Sequence, residues 1–189
     1  MSKFEYKKLR TASVFMVSGQ LLQAILAFGV NLILVRYITP GEFGKFALIL
    51  AGAFLIYSII SSRINILIAR MPEINYNFDV KQKLFSAMTL ETIIATLFIL
   101  FWLIVSDKAG LWEFALVAAV GLRHWTDLNK AFFERDMPYR QLALVETGAS
   151  TGGHLIALSM VLVGAGWVVL FVRELSISLI NLLGLWRVG

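Results

Sequence analysis

Four charged residues with helical spacing form the most informative polar group in the sequence. Arg123, Asp127, Lys130 and Glu134 are separated by four, three and four positions, so in a helix they stack on one face with alternating charge. One interpretation is a solvated row of ion pairs. The other is that Arg123 and Lys130 line a polar cavity, with Arg123 the deeper of the two and Asp127 as its partner while the cavity is empty.

Other polar residues lie within long apolar runs. Gln20 and Asn31 share a helix face, where they form interhelical hydrogen bonds or a cavity wall. Glu91 is surrounded by apolar residues, where a charge is costly. It therefore either pairs with a buried arginine or takes part in ion coupling. Asp127 is the second candidate residue for ion coupling. Arg63 is either a cavity residue or a side chain that extends to the membrane interface.

Two further patterns concern helix packing. Gly148 and Gly152 are four positions apart, and small residues at this spacing allow two helices to approach closely. Arg173 and Glu174 are adjacent. Because adjacent side chains do not face each other on a helix, we expect each to have its own partner.

The composition indicates that these polar residues lie within a largely apolar protein. Apolar residues make up 59% of the 189 residues and charged residues only 15%, against about 45–50% and 25% in soluble domains. A soluble enzyme of this size could not bury so much apolar surface. The chain has no cysteine and two histidines, and no phosphate-binding glycine loop or catalytic motif is present. The sequence therefore predicts a membrane protein that is not an enzyme, needs no cofactor or metal and binds no nucleic acid.

Six stretches are long and apolar enough to cross a bilayer. The chain is thus predicted to be an all-α, polytopic membrane protein with six transmembrane helices in a single bundle, spanning about 11–35, 43–69, 84–105, 111–133, 142–163 and 167–186. Thr39, Pro40 and Glu42 form a predicted capping box that starts the second helix. Pro72 and Pro138 follow the predicted ends of the second and fourth helices.

Lysine and arginine are distributed unequally between the two sides of this predicted topology. Eleven fall on the side of the N-terminus, namely Lys3, Lys7, Lys8, Arg10, Arg70, Lys81, Lys83, Lys130, Arg135, Arg140 and Arg187, and three on the other, namely Arg36, Lys45 and Lys108. Because positive charge favours the cytoplasmic side, both termini are predicted to be cytoplasmic.

Two segments resemble a known family. The sequence VRYITPGEFGKFAL at 35–48 resembles the first loop of the O-antigen and polysaccharide flippases, where Arg-Tyr-Leu-Thr/Gly-Pro-x-x-Phe-Gly-x-Phe-Ala joins the first two helices. The sequence FFERDMPYRQLALVE at 132–146 resembles the junction between helices four and five of the same family. The six-span layout resembles the N-terminal half of these proteins.

The resemblance implies a bacterial inner-membrane transporter of the multidrug, oligosaccharidyl-lipid and polysaccharide exporter superfamily. Its expected cargo is an undecaprenyl-pyrophosphate-linked oligosaccharide, flipped from the cytoplasmic to the outer leaflet by alternating access. Arg123, Lys130, Arg63, Gln20 and Asn31 are the expected substrate-binding residues. Arginine suits the pyrophosphate because its guanidinium binds phosphate with two hydrogen bonds.

The resemblance covers six helices, whereas family members have about twelve. We therefore expect either a longer transporter, of which this chain is one half or a truncated form, or a homodimer that takes the place of two halves. Two other functions stay open from the sequence. Glu91 and Asp127 favour a cation-coupled drug antiporter of the same superfamily, and the third possibility is a non-transporting membrane scaffold for polysaccharide assembly.

Overall fold

The computed structural model describes the backbone of residues 3–136 and 139–188, and the side chains of 14, 17–135 and 140–187. The described residues form helices and no strand. The helices are α1 (Lys3–Tyr37), α2 (Pro40–Ile60), α3 (Ile64–Arg70), α4 (Phe78–Val105), α5 (Leu111–Asp136), α6 (Tyr139–Leu162) and α7 (Val168–Val188), with a short 3₁₀ turn at Glu73–Asn75.

The helix boundaries follow from local capping. Thr39 accepts a hydrogen bond from the backbone N–H of Glu42, whose carboxylate accepts one from the backbone N–H of Thr39, so the predicted capping box is confirmed. Before Pro72, α3 ends at Arg70, as predicted. Met137 and Pro138, the predicted junction of α5 and α6, lie outside the described residues, as do the side chains of the basic N-terminal segment.

The predicted second span, 43–69, is not one helix. The chain leaves the helical conformation at Ser61–Arg63, and Arg63 adopts a left-handed conformation with φ of 53° before α3 begins. We call these three residues the α2–α3 break. The sequence predicts an uninterrupted helix here because the apolar residues on both sides outweigh two serines and an arginine.

The helices pack around a core that lies toward one end of the bundle. α6 packs on α1 and α7, while α5 packs on α3, α4 and α7. The larger buried cluster includes Phe46, Leu116 and Phe171, each near the start of its helix. A smaller cluster joins α3 to α4 and α5 through Ile68 and Met88. The end of the bundle where α2, α5 and α7 begin is therefore closed by apolar packing.

The protein is a helical membrane protein, as predicted. Phe28, Phe98 and Phe101 are each more than half exposed, which is unfavourable in water and normal in lipid. Among the described residues, four helical segments are long and apolar enough to cross a membrane, namely Val17–Tyr37, Pro40–Ile60, Phe78–Val105 and Val168–Arg187. The predicted count of six is therefore confirmed only in part, because α5 and α6 carry too many polar and charged residues to meet the same criterion.

Glycines bring α6 close to α7, as predicted for Gly152 but not for Gly148. A Cβ atom on Gly148 would meet nothing within 4 Å, so the predicted packing role of this residue is wrong. A Cβ on Gly152 would lie 2.9 Å from the flexible end of Ile180. The tightest approach is at Gly153, where a Cβ would overlap Ile177 Cγ1 and lie 3.3 Å from the Arg173 carbonyl oxygen.

Alanine substitutions at these glycines are expected to have opposite effects on stability. Gly153→Ala should lower the free energy of unfolding by about 1–3 kcal/mol because the added methyl group overpacks the α6–α7 contact. Gly148→Ala, the matched control on the same helix, should be neutral or stabilise the protein by about 0.5–1 kcal/mol. Thermal unfolding in detergent measures both. Equal Tm values for the two variants would contradict the close contact at Gly153.

Candidate functional site

A polar cavity of about 520 Å³ lies between α1, α5, α6 and α7. Its wall is formed by Gln20, Gln23, Ala24, Ala27, Asn31, Arg123, Asp127, Lys130, Glu146, Ala149, Ser150, His154, Arg173, Glu174, Ile177, Ser178 and Asn181. On α5 and α7 the lining residues follow the core residues Leu116 and Phe171 along the helix, so the cavity is displaced from the apolar core toward the opposite end of the bundle. Four of the five predicted substrate-binding residues, Gln20, Asn31, Arg123 and Lys130, are among them.

The most buried cation of the cavity is Arg173. Its guanidinium donates from Nη1 to Asn31 Oδ1 at 2.7 Å and from Nε and Nη2 to Glu174 Oε1 at 3.2 and 3.0 Å. Only 8% of its side chain is exposed. Arg173 and Glu174 each have a partner of their own, Asn31 and Arg123, as predicted. The direct contact between them was not expected, and it forms because the long arginine side chain bends back to its neighbour's carboxylate. The bond to Asn31 also ties α7 to α1.

Arg123 shares this carboxylate. Its Nη1 lies 3.4 Å from Glu174 Oε2, and its Nε lies 4.0 Å from Asp127 Oδ2. Glu174, rather than the predicted Asp127, is thus the closer partner of Arg123. The two oxygens of Glu174 each contact a different guanidinium. Because 43% of the Arg123 side chain is exposed, this group is the more accessible of the two arginines.

The remaining charges of the cavity also form pairs. Lys130 forms an ion pair with Glu146 across the α5–α6 interface. His154 contacts the Ser150 carbonyl oxygen through Nδ1 at 2.6 Å, one helical turn away. Asn181 Oδ1 is buried and has no hydrogen-bond partner among the described residues. The cavity therefore holds three cations and three carboxylates, and Asn181 offers it an unused acceptor.

Two predicted site residues lie outside this cavity. Arg63 is exposed and immediately precedes α3. Glu91 is buried on α4, where it accepts hydrogen bonds from the backbone N–H and the hydroxyl of Ser62 and lies 3.5 Å from His124 Nε2. Neither side chain lines the cavity, so Arg63 is not brought together with the other predicted substrate-binding residues.

Three charged residues of the cavity were not among the predicted site residues: Arg173, Glu174 and Glu146. The stripe of Glu174, Ser178 and Asn181 at helical spacing was a usable signal, because it places polar groups on one face of an apolar helix. Within the part of the chain whose side chains are described, no three His, Cys, Asp or Glu residues are grouped so as to hold a metal ion.

Comparison with known proteins gives one result. The family model described as polysaccharide biosynthesis protein matches residues 33–188 of the chain. No curated protein and no solved structure matches the chain. The matched segment includes α2 to α7 and both segments in which the flippase resemblance was found. The chain therefore belongs to the polysaccharide biosynthesis protein family, and its role lies in polysaccharide biosynthesis.

Proposed function

We propose that this protein is a transporter that flips undecaprenyl-pyrophosphate-linked oligosaccharide from the cytoplasmic to the outer leaflet of the bacterial inner membrane. The observation that carries the proposal is a cavity with three cations, Arg123, Lys130 and Arg173, inside a helical membrane protein of the polysaccharide biosynthesis family. Charged groups at membrane depth are costly and mark the paths of polar cargo. In this proposal the protein moves its cargo without changing it, so it is not an enzyme.

The pyrophosphate of the cargo binds Arg123 first. Arg123 is the more exposed arginine of the cavity, and its 3.4 Å contact with Glu174 is longer than the contacts of Arg173. A phosphate oxygen that accepts two hydrogen bonds from a guanidinium is a better partner than this single long contact. The cargo thus displaces the Arg123–Glu174 pair, while Arg173 keeps Glu174 in place. Lys130 supplies a further positive charge nearby.

The sugar of the cargo needs hydrogen-bonding groups rather than charge. Gln20, exposed on α1, and Asn181, whose Oδ1 has no partner among the described residues, serve this purpose in the proposal. Asn31 lines the same wall, but its side-chain oxygen already accepts a hydrogen bond from Arg173. It therefore binds cargo through its amide nitrogen or holds Arg173 in position. The undecaprenyl tail stays in the bilayer, where it is soluble.

Alternating access fits the asymmetric packing of the bundle. The apolar core closes the end where α2, α5 and α7 begin, and the cavity lies nearer the opposite end. With both termini in the cytoplasm, the cavity faces the leaflet in which the cargo is made. In the proposal α5 and α6 are the fourth and fifth of six spans, because the charged residues in their middle turns, Arg123, Asp127, Lys130 and Glu146, line the cavity. A second six-helix bundle, or a second copy of this chain, covers the cavity on its remaining side.

Reporter fusions test this topology. A reporter joined after Gly189 is expected to give a cytoplasmic signal, and one inserted at Lys108, between α4 and α5, a periplasmic signal. The physical reason is the excess of lysine and arginine on the side of the N-terminus. Alkaline phosphatase and green fluorescent protein at the same two positions act as mutual controls, because each is active on one side only. A periplasmic signal at Gly189 would overturn the orientation.

A cation-coupled drug antiporter is the second candidate, and the cavity contains a specific observation in its favour. Its three cations are matched by three carboxylates, Asp127, Glu146 and Glu174, and carboxylates would bind a cationic drug. We rank this function second because each carboxylate already lies within ion-pair distance of a cavity cation.

A transport assay separates these functions. The chain, with its second bundle where one is encoded, is reconstituted in liposomes that contain a fluorescent undecaprenyl-pyrophosphate-linked disaccharide in one leaflet. Movement of the label to the other leaflet above the protein-free rate is expected. A cationic dye serves as the control cargo. Movement of the dye alone would favour the antiporter, and movement of neither would favour the scaffold.

A further inference from the structure

A second polar cluster, centred on the buried Glu91, lies outside the cavity at the α2–α3 break. The break leaves backbone N–H and C=O groups without helical partners, which is tolerated at membrane depth only where other groups satisfy them. Glu91 of α4 does so, because its Oε2 accepts hydrogen bonds from the backbone N–H of Ser62, at 3.1 Å, and from the Ser62 hydroxyl. Only 6% of the Glu91 side chain is exposed.

The other oxygen of Glu91 faces an imidazole. His124 Nε2 lies 3.5 Å from Glu91 Oε1, and 17% of the His124 side chain is exposed. Both atoms are buried and neither forms a hydrogen bond within the described residues. This distance is about 0.5 Å too long for a good N–H···O bond. The two groups are therefore close, but not hydrogen-bonded.

The surroundings hold few other charges that could act on this pair. Tyr57 of α2 stacks on His124 with ring centroids 4.2 Å apart, and its hydroxyl is 2.8 Å from Thr96 Oγ1. On α5, Asp127 lies one turn from His124 and is the other carboxylate that acts on it. Ser62 is uncharged. With a neutral imidazole, Glu91 is thus a buried carboxylate that has hydrogen-bond donors but no counter-charge, which is a costly arrangement.

Resting on the transport function proposed above, we propose that Glu91 and His124 form a proton-binding site that couples the α2–α3 break to the cargo cavity. One proton from water adds to His124 Nε2, and no covalent bond between heavy atoms forms or breaks. The new N–H donates to Glu91 Oε1, and the imidazolium supplies the missing counter-charge. The pair then closes from 3.5 Å to hydrogen-bonding distance and pulls α5 toward α4.

α5 transmits this movement to the cavity. His124 directly follows Arg123 in the sequence, and Asp127 and Lys130 lie on the same helix one and two turns further on. A shift of α5 toward the break therefore moves the cavity residues that the proposed cargo contacts. α3 moves as well, because its backbone connects directly to Ser62 and its Ile68 packs against α5 and α4.

The absence of cysteine makes a distance measurement straightforward. Spin labels on cysteines at Leu48 of α2 and Leu67 of α3, both more than half exposed, report the geometry of the break by pulsed electron paramagnetic resonance in lipid nanodiscs. The mean distance is expected to change by about 2 Å between about pH 8 and pH 5, the range in which histidines change charge. His124→Gln and Glu91→Gln should each remove this change. His154→Gln, which alters the other histidine, should retain it.

The same protein allows a direct view of the proton. The His154→Gln variant contains His124 as its one histidine, so the ¹⁵N spectrum of its labelled ring must show imidazolium at the pH where the distance changes. A distance that is independent of pH, a change that survives in His124→Gln, a change lost in His154→Gln, or a ring that stays neutral would each overturn the proposal. If Glu91→Gln does not fold, His124→Gln decides alone. No cargo is used, so failure here is distinguishable from failure of the transport function.

Discussion

Replacing Arg123 with alanine is expected to reduce flipping of the lipid-linked oligosaccharide by about tenfold or more. The estimate corresponds to the loss of a charge-assisted hydrogen-bonded contact, worth about 1.5–3 kcal/mol. Arg123→Lys keeps the charge but loses the two-pronged guanidinium, so it should retain partial activity. The measurement is complementation of a flippase-deficient strain, with membrane levels of each variant determined in parallel.

Two controls separate cargo binding from a structural role of Arg123. Arg187→Ala removes an exposed arginine in the last turn of α7 that lies outside the cavity, and it should leave flipping close to the wild-type level. The double variant Arg123→Ala with Asp127→Ala removes Arg123 together with its partner at 4.0 Å. If the pair were only structural, the double variant would recover both folding and flipping. Full activity of the double variant would therefore remove Arg123 from the substrate contacts.

The removal of Glu174 is expected to have the largest effect on stability. Its carboxylate is 9% exposed and contacts both Arg123 and Arg173, so Glu174→Met leaves two guanidinium groups close together without their shared counter-charge. Removing one partner of a buried ion pair costs about 3–5 kcal/mol. Asp79→Asn is the control, because its exposed pair with Lys83 is worth at most about 1 kcal/mol. Thermal unfolding in detergent measures both variants.

The same variant tests whether the arginines bind phosphate. Inorganic pyrophosphate is expected to raise the Tm of Glu174→Met more than that of the wild-type protein, because the anion takes the place of the missing carboxylate between the two arginines. A Glu174→Met protein as stable as the wild type would show that the shared ion pair has no structural importance. Equal pyrophosphate effects on the two proteins would argue against an anion site between Arg123 and Arg173.

The features that the sequence predicted are those that depend on local patterns. The capping box can be recognised from Thr39 and Glu42, which are three positions apart in the sequence. The end of α3 can be recognised from Pro72 alone, because the residue before a proline disfavours the helical conformation. The cavity face of α5 was predicted from the spacing of Arg123, Asp127 and Lys130. Local spacing is sufficient in these cases because the interacting groups lie within one or two helical turns.

Features that depend on how helices meet were not predictable in the same way. Glu174 contacts Arg123 on another helix, and its oxygen, rather than that of Asp127, is the closer one. The pairing of α5 with α7 is a tertiary property that spacing within α5 does not encode. Gly148 and Gly153 show the same limit, since they differ by about 140° around the helix, and only the packing of α7 decides which of them faces a neighbour.

The α2–α3 break has a different cause. Hydrophobicity is averaged over a window of about 19 residues, so the three polar residues Ser61, Ser62 and Arg63 do not interrupt the signal of their apolar neighbours. The break is stable because Glu91, 29 residues further along the chain, supplies the acceptor for Ser62. A buried glutamate in the third predicted span was thus a sign of a non-helical backbone elsewhere, and not of a buried arginine partner.

Photo-crosslinking tests most directly whether the cavity binds the lipid-linked cargo. A photoreactive phenylalanine analogue is placed at Ala24, which lines the cavity on α1, or at Phe98, an exposed residue on α4, in cells that make the undecaprenyl-linked oligosaccharide. We expect a glycan-bearing adduct at Ala24 that is lost in the Arg123→Ala background, and none above background at Phe98. Equal adducts at the two positions, or an Ala24 adduct that persists unchanged without Arg123, would contradict the proposed cargo site.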